Sequence, residues 1–194
     1  MGQIMSQNIP EEILEAESSL EWALENLEFL GAGDTAHVFK HPDDDAKVIR
    51  ISDYPDGWFL YAEQAMEAFG DDAGSYSAFY PVVYEIINKE RELIGVSERL
   101  EEIENDSDLA EIVELINKAM ITHDEDSWEN LDQRLPDFRK FSQQLFHKID
   151  LRDGNIMRRG GQIVINDPLR AIPYGMEESF RARHSLSKGS LFNP

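Results

Sequence analysis

Apolar residues recur at helical spacing over residues 10–27, where Ile13, Leu14, Leu20, Leu24 and Leu27 make one stripe. Pro10 and the Glu11, Glu12 pair suit a first turn, so one amphipathic helix is predicted there. The pattern then changes to short strand-like runs at 27–30, 36–39 and 47–51. These are broken by Gly31 and Gly33 and by a turn at His41, Pro42 and Asp43. A helix is predicted over 58–69, stopped at Gly70, with a loop to Ser77. Two further strands follow at 81–87 and 92–97. Helical periodicity returns over 100–122, with Leu109, Ile112, Val113, Ile116 and Met120 on one stripe. It returns again over 128–148, with Leu131, Leu135, Phe138, Phe141, Leu145 and Phe146. The acidic stretch Asp124, Glu125, Asp126 separates the two. Five strands, one helix after the third and helices at the end predict an α+β fold.

At 194 residues with 41% hydrophobic content, the chain is long enough to bury a core. It holds 39 acidic and 18 basic residues, a net charge of −21. That charge repels nucleic acid and anionic membrane, so neither is an expected partner, whereas a basic protein surface would suit it. No apolar run reaches the length of a membrane span. The absence of cysteine excludes a disulfide scaffold and a thiol nucleophile, and suits a cytoplasmic setting.

The chemistry concentrates at His147, Asp150, Leu151 and Asn155, followed by a short apolar run and Asp167. The order H-x-x-D-L-x-x-x-N closely matches a kinase catalytic loop, with which it shares D-L-x-x-x-N. Phosphoryl transfer from ATP needs such a set. Asp150 would orient the attacking hydroxyl. Asn155 and Asp167 would hold Mg, a hard cation that prefers oxygen ligands and takes substrate phosphates as well. Upstream, Gly31 and Gly33 sit between two strands, where backbone amides could approach phosphates without a Cβ clash, and Val38 closes the segment. The third strand offers two cations. Lys47 and Arg50 are three apart and so face opposite sides of a strand. Arg50 shares its side with Val48 and is the favoured phosphate cation, with Lys47 as runner-up. Glu63 or Glu67, one turn apart on the next helix, would pair with it.

By these residues the chain resembles the protein-kinase-like fold, and more narrowly the short early-gene serine/threonine protein kinases of lytic tailed bacteriophages. The resemblance is carried by Leu30 to Asp34, by His41-Pro42 leading to Val48, Ile49 and Arg50, and by Val83, Tyr84 and Glu85. Gly154 to Met157 and Asp167-Pro168 complete it. It implies a five-stranded antiparallel N-lobe with an αC-like helix and a reduced, mainly helical C-lobe. The corresponding segments are an N-terminal helical extension over 1–28, the N-lobe over 29–99, the C-lobe with its catalytic loop over 100–174, and a basic, mobile tail over 175–194. It further implies transfer of the ATP γ-phosphate to serine or threonine of host proteins, with Arg152 in place of a lysine that contacts the transferred phosphoryl. Two departures matter: the family's third-strand lysine reads as Arg50, and only 27 residues follow Asp167. Two alternatives stand beside this reading. One is an acidic pseudokinase that inhibits a host factor by binding; the other is a small-molecule phosphotransferase.

Overall fold

A computed structural model describes residues 8–53, 56–69, 74–89, 92–103, 107–145, 151 and 154–169. Asp150, Arg152 and the tail over 175–194 lie outside the described residues. The chain divides into two compact units. The first includes Met1–Leu60 and Val83–Arg99, the second Tyr61–Val82 and Leu100–Ala171.

The first unit is built on five antiparallel strands: β1 (Phe29–Ala32), β2 (Ala36–Lys40), β3 (Lys47–Ser52), β4 (Val83–Lys89) and β5 (Glu92–Glu98). Their spatial order is β1-β2-β3-β5-β4. With a helix following β3, this is the expected layout of a kinase-like small lobe. Directly paired residues share a face, so the pairings sort the sheet into two surfaces. Phe39, Ile49, Ile51, Ile87, Ile94 and Val96 are buried in one apolar cluster with Ile9, Ile13 and Ala23 from the N-terminal segment.

That segment is two helices, α1 (Glu11–Glu15) and α2 (Ser19–Asn26), not the single helix predicted over 10–27. The break has a local cause. Ser18 Oγ accepts the Glu21 amide and starts α2, while Ala16 leaves α1 with an extended ψ of 150°. The β4–β5 pair then clamps both free ends. Lys89 Nζ donates to the Ile13 carbonyl at 2.9 Å and to that of Ala16, at the C-terminal end of α1. The Glu92 carboxylate accepts the Ser19 and Leu20 amides at 2.7 and 3.0 Å, at the N-terminal end of α2. Each charge opposes the partial charge of the helix end it meets. Burial would raise the Glu92 carboxyl, but the Leu20 and Ser19 amides and the Ser18 and Ser19 hydroxyls outweigh it and hold it below the usual carboxylate value.

A longer helix, α3 (Gly57–Ala68), carries the boundary between the units. In the second unit a short 3-10 turn (Ser75–Phe79) precedes α4 (Ser107–Ile121), α5 (Glu125–Arg134) and α6 (Phe138–Gln144). Of the helix predicted over 100–122, residues 100–103 are not helical. Glu101 instead pairs with Arg158 through two backbone hydrogen bonds of 2.9 and 3.0 Å. The predicted helix over 128–148 divides at Pro136, where Asp137 takes φ 72° before α6 starts. Asp124, in the supposed separator, caps α5 by accepting the Ser127 amide at 2.9 Å. Ile112, Ile116, Leu131, Phe138 and Phe141 are buried here; the Phe79 ring lies tilted 5.5 Å from that of Phe141, and Tyr80 meets the same ring edge-on at 4.9 Å.

Strands β6 (Ile156–Arg159) and β7 (Gln162–Ile165) form a separate antiparallel ribbon. Its two-residue turn needs Gly160, whose φ is 59°. The ribbon is tied to the 3-10 segment by Gln162 Nε2 to the Ala78 carbonyl (3.1 Å) and by an Arg159 guanidinium nitrogen to the Tyr80 carbonyl (3.0 Å).

Candidate active site

On the sheet face opposite the apolar cluster, one row of directly paired residues crosses all five strands: Gly31, Val38, Arg50, Gly95 and Ile86. The cation preferred from sequence therefore shares a face with one of the loop glycines and with Val38. Neither Gly31 nor Gly33 has a positive φ, and a Cβ at either would meet no heavy atom within 4 Å. Neither backbone strain nor neighbouring atoms accounts for glycine at these two positions. Gly95 is different. A Cβ there would lie 2.6 Å from the Trp58 ring, so its missing side chain lets α3 sit close to the sheet.

Arg50 is largely enclosed. An Nη of its guanidinium lies 2.6 Å from Asp56 Oδ2, and the side chains are 13% and 8% exposed. The Trp58 ring lies over the guanidinium at 5.1 Å. Asp56 also receives the Phe59 amide on Oδ1 at 3.3 Å, in the manner of an N-cap, so one carboxylate both starts α3 and holds Arg50. Helical spacing points to Glu63 and Glu67 as acidic partners of Arg50; the partner is instead Asp56. A signal was available: an Asp just ahead of a helical run is an N-cap candidate. Glu63 and Glu67 lie on the part of α3 in the second unit, half-buried and exposed respectively.

Lys47 is engaged elsewhere. Its ammonium bonds Asp44 at 3.2 Å and Asn8 Oδ1 at 3.3 Å, and lies 4.7 Å from the Tyr84 ring centre.

In the second unit, the ribbon brings Asn155 and Asp167 to the same end. Ile156 pairs with Ile165, and the Asn166 amide donates to the Asn155 carbonyl at 2.8 Å. Gly154, at φ 92°, provides the turn into Asn155. Tyr61 of α3 anchors this end from inside, its hydroxyl donating to the Ile165 carbonyl at 2.7 Å. Burial, with Tyr80 and Asp167 adding to it, pushes the Tyr61 hydroxyl well above its ordinary value, so it remains a donor. Sequence reasoning did not single out Tyr61. Among the described residues no three His, Cys, Asp or Glu side chains gather as a ready-made metal cage.

The second unit also holds a cavity of about 880 Å³. Val113, Asn117 and Ile121 of α4 line one wall, Glu102 and Ile103 another, and Gly154 and Ile156 a third. Val113, placed by periodicity on the core stripe, thus turns to this cavity.

No protein-family model matches the chain, and no curated protein does. Among solved structures it is similar to a thermostable mutant of aminoglycoside phosphotransferase APH(4)-Ia in ternary complex with AMP-PNP and hygromycin B. The identity is 14%, over 78% of this chain and 71% of that one, with a TM-score of 0.43. An apo form of a thermostable mutant of the same enzyme gives 13% identity over 73% of this chain and 66% of that one, with a TM-score of 0.42. Likenesses at this level leave activity and substrate unassigned. None of the described helices is long and apolar enough to cross a membrane.

Proposed function

We propose that this chain is an ATP- and Mg-dependent phosphotransferase of the serine/threonine protein kinase kind. The observation that carries the reading is the placement of Arg50. It lies on the sheet face that bears Gly31 and Val38, away from the apolar cluster, and a cation on the third strand is what phosphate binding would call for. Gly31 and Gly33 would cover the phosphates with backbone amides, and Val38 would flank the nucleotide. Asn155 and Asp167 would hold Mg: an amide oxygen and a carboxylate stand at the two chain ends that flank the ribbon, and Mg would complete its shell with phosphate oxygens and water. When bound, the ion would neutralise charge on the phosphates. Asp150 would orient the acceptor hydroxyl and Arg152 would meet the transferred phosphoryl. Glu63 remains a candidate for orienting the nucleotide-side cation, alongside Asp56.

A protein acceptor follows from the sequence resemblance, as does action on host proteins of transcription or defence. The −21 charge suits basic protein substrates. A second reading, transfer to a small molecule, is favoured by the cavity beside Gly154 and Ile156, whose size falls in the range of small-ligand pockets.

The test is incubation with labelled ATP, Mg and a bacterial lysate, beside Asp150→Ala. Labelled protein bands that vanish in the variant support the protein kinase. Label confined to small metabolites supports the second reading. No transfer, with tight capture of a partner, would leave a binding-only protein.

A further inference from the structure

The buried pair at the start of α3 has a third member. Asp56 Oδ2 accepts a hydrogen bond from Arg50 and another from Thr35 Oγ1, both at 2.6 Å. Thr35 belongs to the glycine-rich turn, which closes on itself through the Gly33 amide and the Ala36 carbonyl at 2.9 Å. The Thr35 carbonyl in turn accepts from Ser52 Oγ, at the end of β3, at 2.8 Å. One carboxylate oxygen therefore joins the turn that would cover the phosphates to the cation that would bind them. Its second oxygen holds the first turn of α3. The pair is almost fully enclosed, so its charge-assisted bonds are little weakened by water. A guanidinium aimed by Asp56 and held under the Trp58 ring has lost much of its freedom before any anion arrives, which lowers the cost of binding one.

We infer that Asp56 and Thr35 are positioning residues for a nucleoside triphosphate: Asp56 aims Arg50, and Thr35 fastens the glycine-rich turn to the same carboxylate. The inference rests on the phosphotransferase reading and adds to it a coupling between turn and cation. The ligand chemistry it serves is the phosphate chain, not the base.

The test compares dissociation constants for MgATP and for adenosine in the full chain. The variants are Asp56→Asn, Thr35→Val, Thr35→Ser and the double variant Asp56→Asn with Thr35→Val. Asparagine caps a helix as well as aspartate does, so Asp56→Asn keeps the start of α3 while removing the charge. Thr35→Val leaves the ion pair untouched. Asp56→Asn is expected to weaken MgATP binding about tenfold and Thr35→Val about fivefold, with the double variant little worse than Asp56→Asn alone. Adenosine binding should hold in all four, and Thr35→Ser should recover most of the Thr35→Val loss. Equal losses for MgATP and adenosine would overturn the inference, as would fully additive losses, or Asp56→Asn binding MgATP as well as wild type or better. A wild-type protein that binds no MgATP would remove the phosphotransferase reading itself, and this inference with it.

Discussion

The two faces of the five-stranded sheet are made from neighbouring residues and are opposite in character. One carries Ile49, Ile51, Ile94 and Val96 and is closed by α1 and α2, a dry layer completed by the chain itself. The other carries Arg50, with Gly95 at its paired position on β5, Gly31 two strands away in the same row, and a shared carboxylate at Asp56. The first face is what any small domain needs for stability. The second spends stability on a buried ion pair, an arrangement that apolar residues could replace at no loss to the fold. That contrast is why the polar face is read as the working one.

The comparison breaks most visibly on the apolar face. Ile51→Ala should cost about 2–5 kcal/mol in urea unfolding, because the cavity lies where α2 and the sheet meet, yet MgATP affinity should hold in the folded fraction. Gly95→Ala should cost about 1–3 kcal/mol, since its Cβ would press on Trp58; a neutral result would show that α3 can shift.

The helix clamp has a pH signature. The Glu92 carboxyl is depressed in the folded chain, so its contribution is complete above the ordinary value of 4.5 and is lost as pH falls through the lower folded value. Thermal melts should therefore show wild type above Glu92→Gln near neutrality, with the gap closing on acidification. The smallest stability effects belong to Gly31→Ala and Gly33→Ala, within about 0.5 kcal/mol, because a methyl group meets open space. The same two changes should nonetheless weaken MgATP binding several-fold, which separates a site glycine from a structural one such as Gly95.

Strand alternation made much of this readable beforehand. Parity alone put Lys47 and Arg50 on opposite faces, and Gly31 and Gly33 marked the hairpin at β1–β2. Helix limits were harder. The stripe over 10–27 continues across a break that depends on Ser18 as a cap and on two charges, Lys89 and Glu92, more than seventy residues away. The division at Pro136 was marked by a proline, but the apolar spacing ran through it. Asp56 left a trace as an Asp ahead of a helical run, but Thr35 and Tyr61 left none: their roles lie in hydrogen bonds between segments, which composition and period do not record. Tyr61, for instance, meets the carbonyl of Ile165, 104 residues on.

Calorimetric titration of MgATP into wild type, Arg50→Ala and Lys47→Ala tests the assignment of the working face most directly. Arg50→Ala is expected to lose affinity by about tenfold or more, the worth of a charge-assisted hydrogen bond, while Lys47→Ala binds as wild type does. Unchanged binding by Arg50→Ala, or a loss confined to Lys47→Ala, would contradict it.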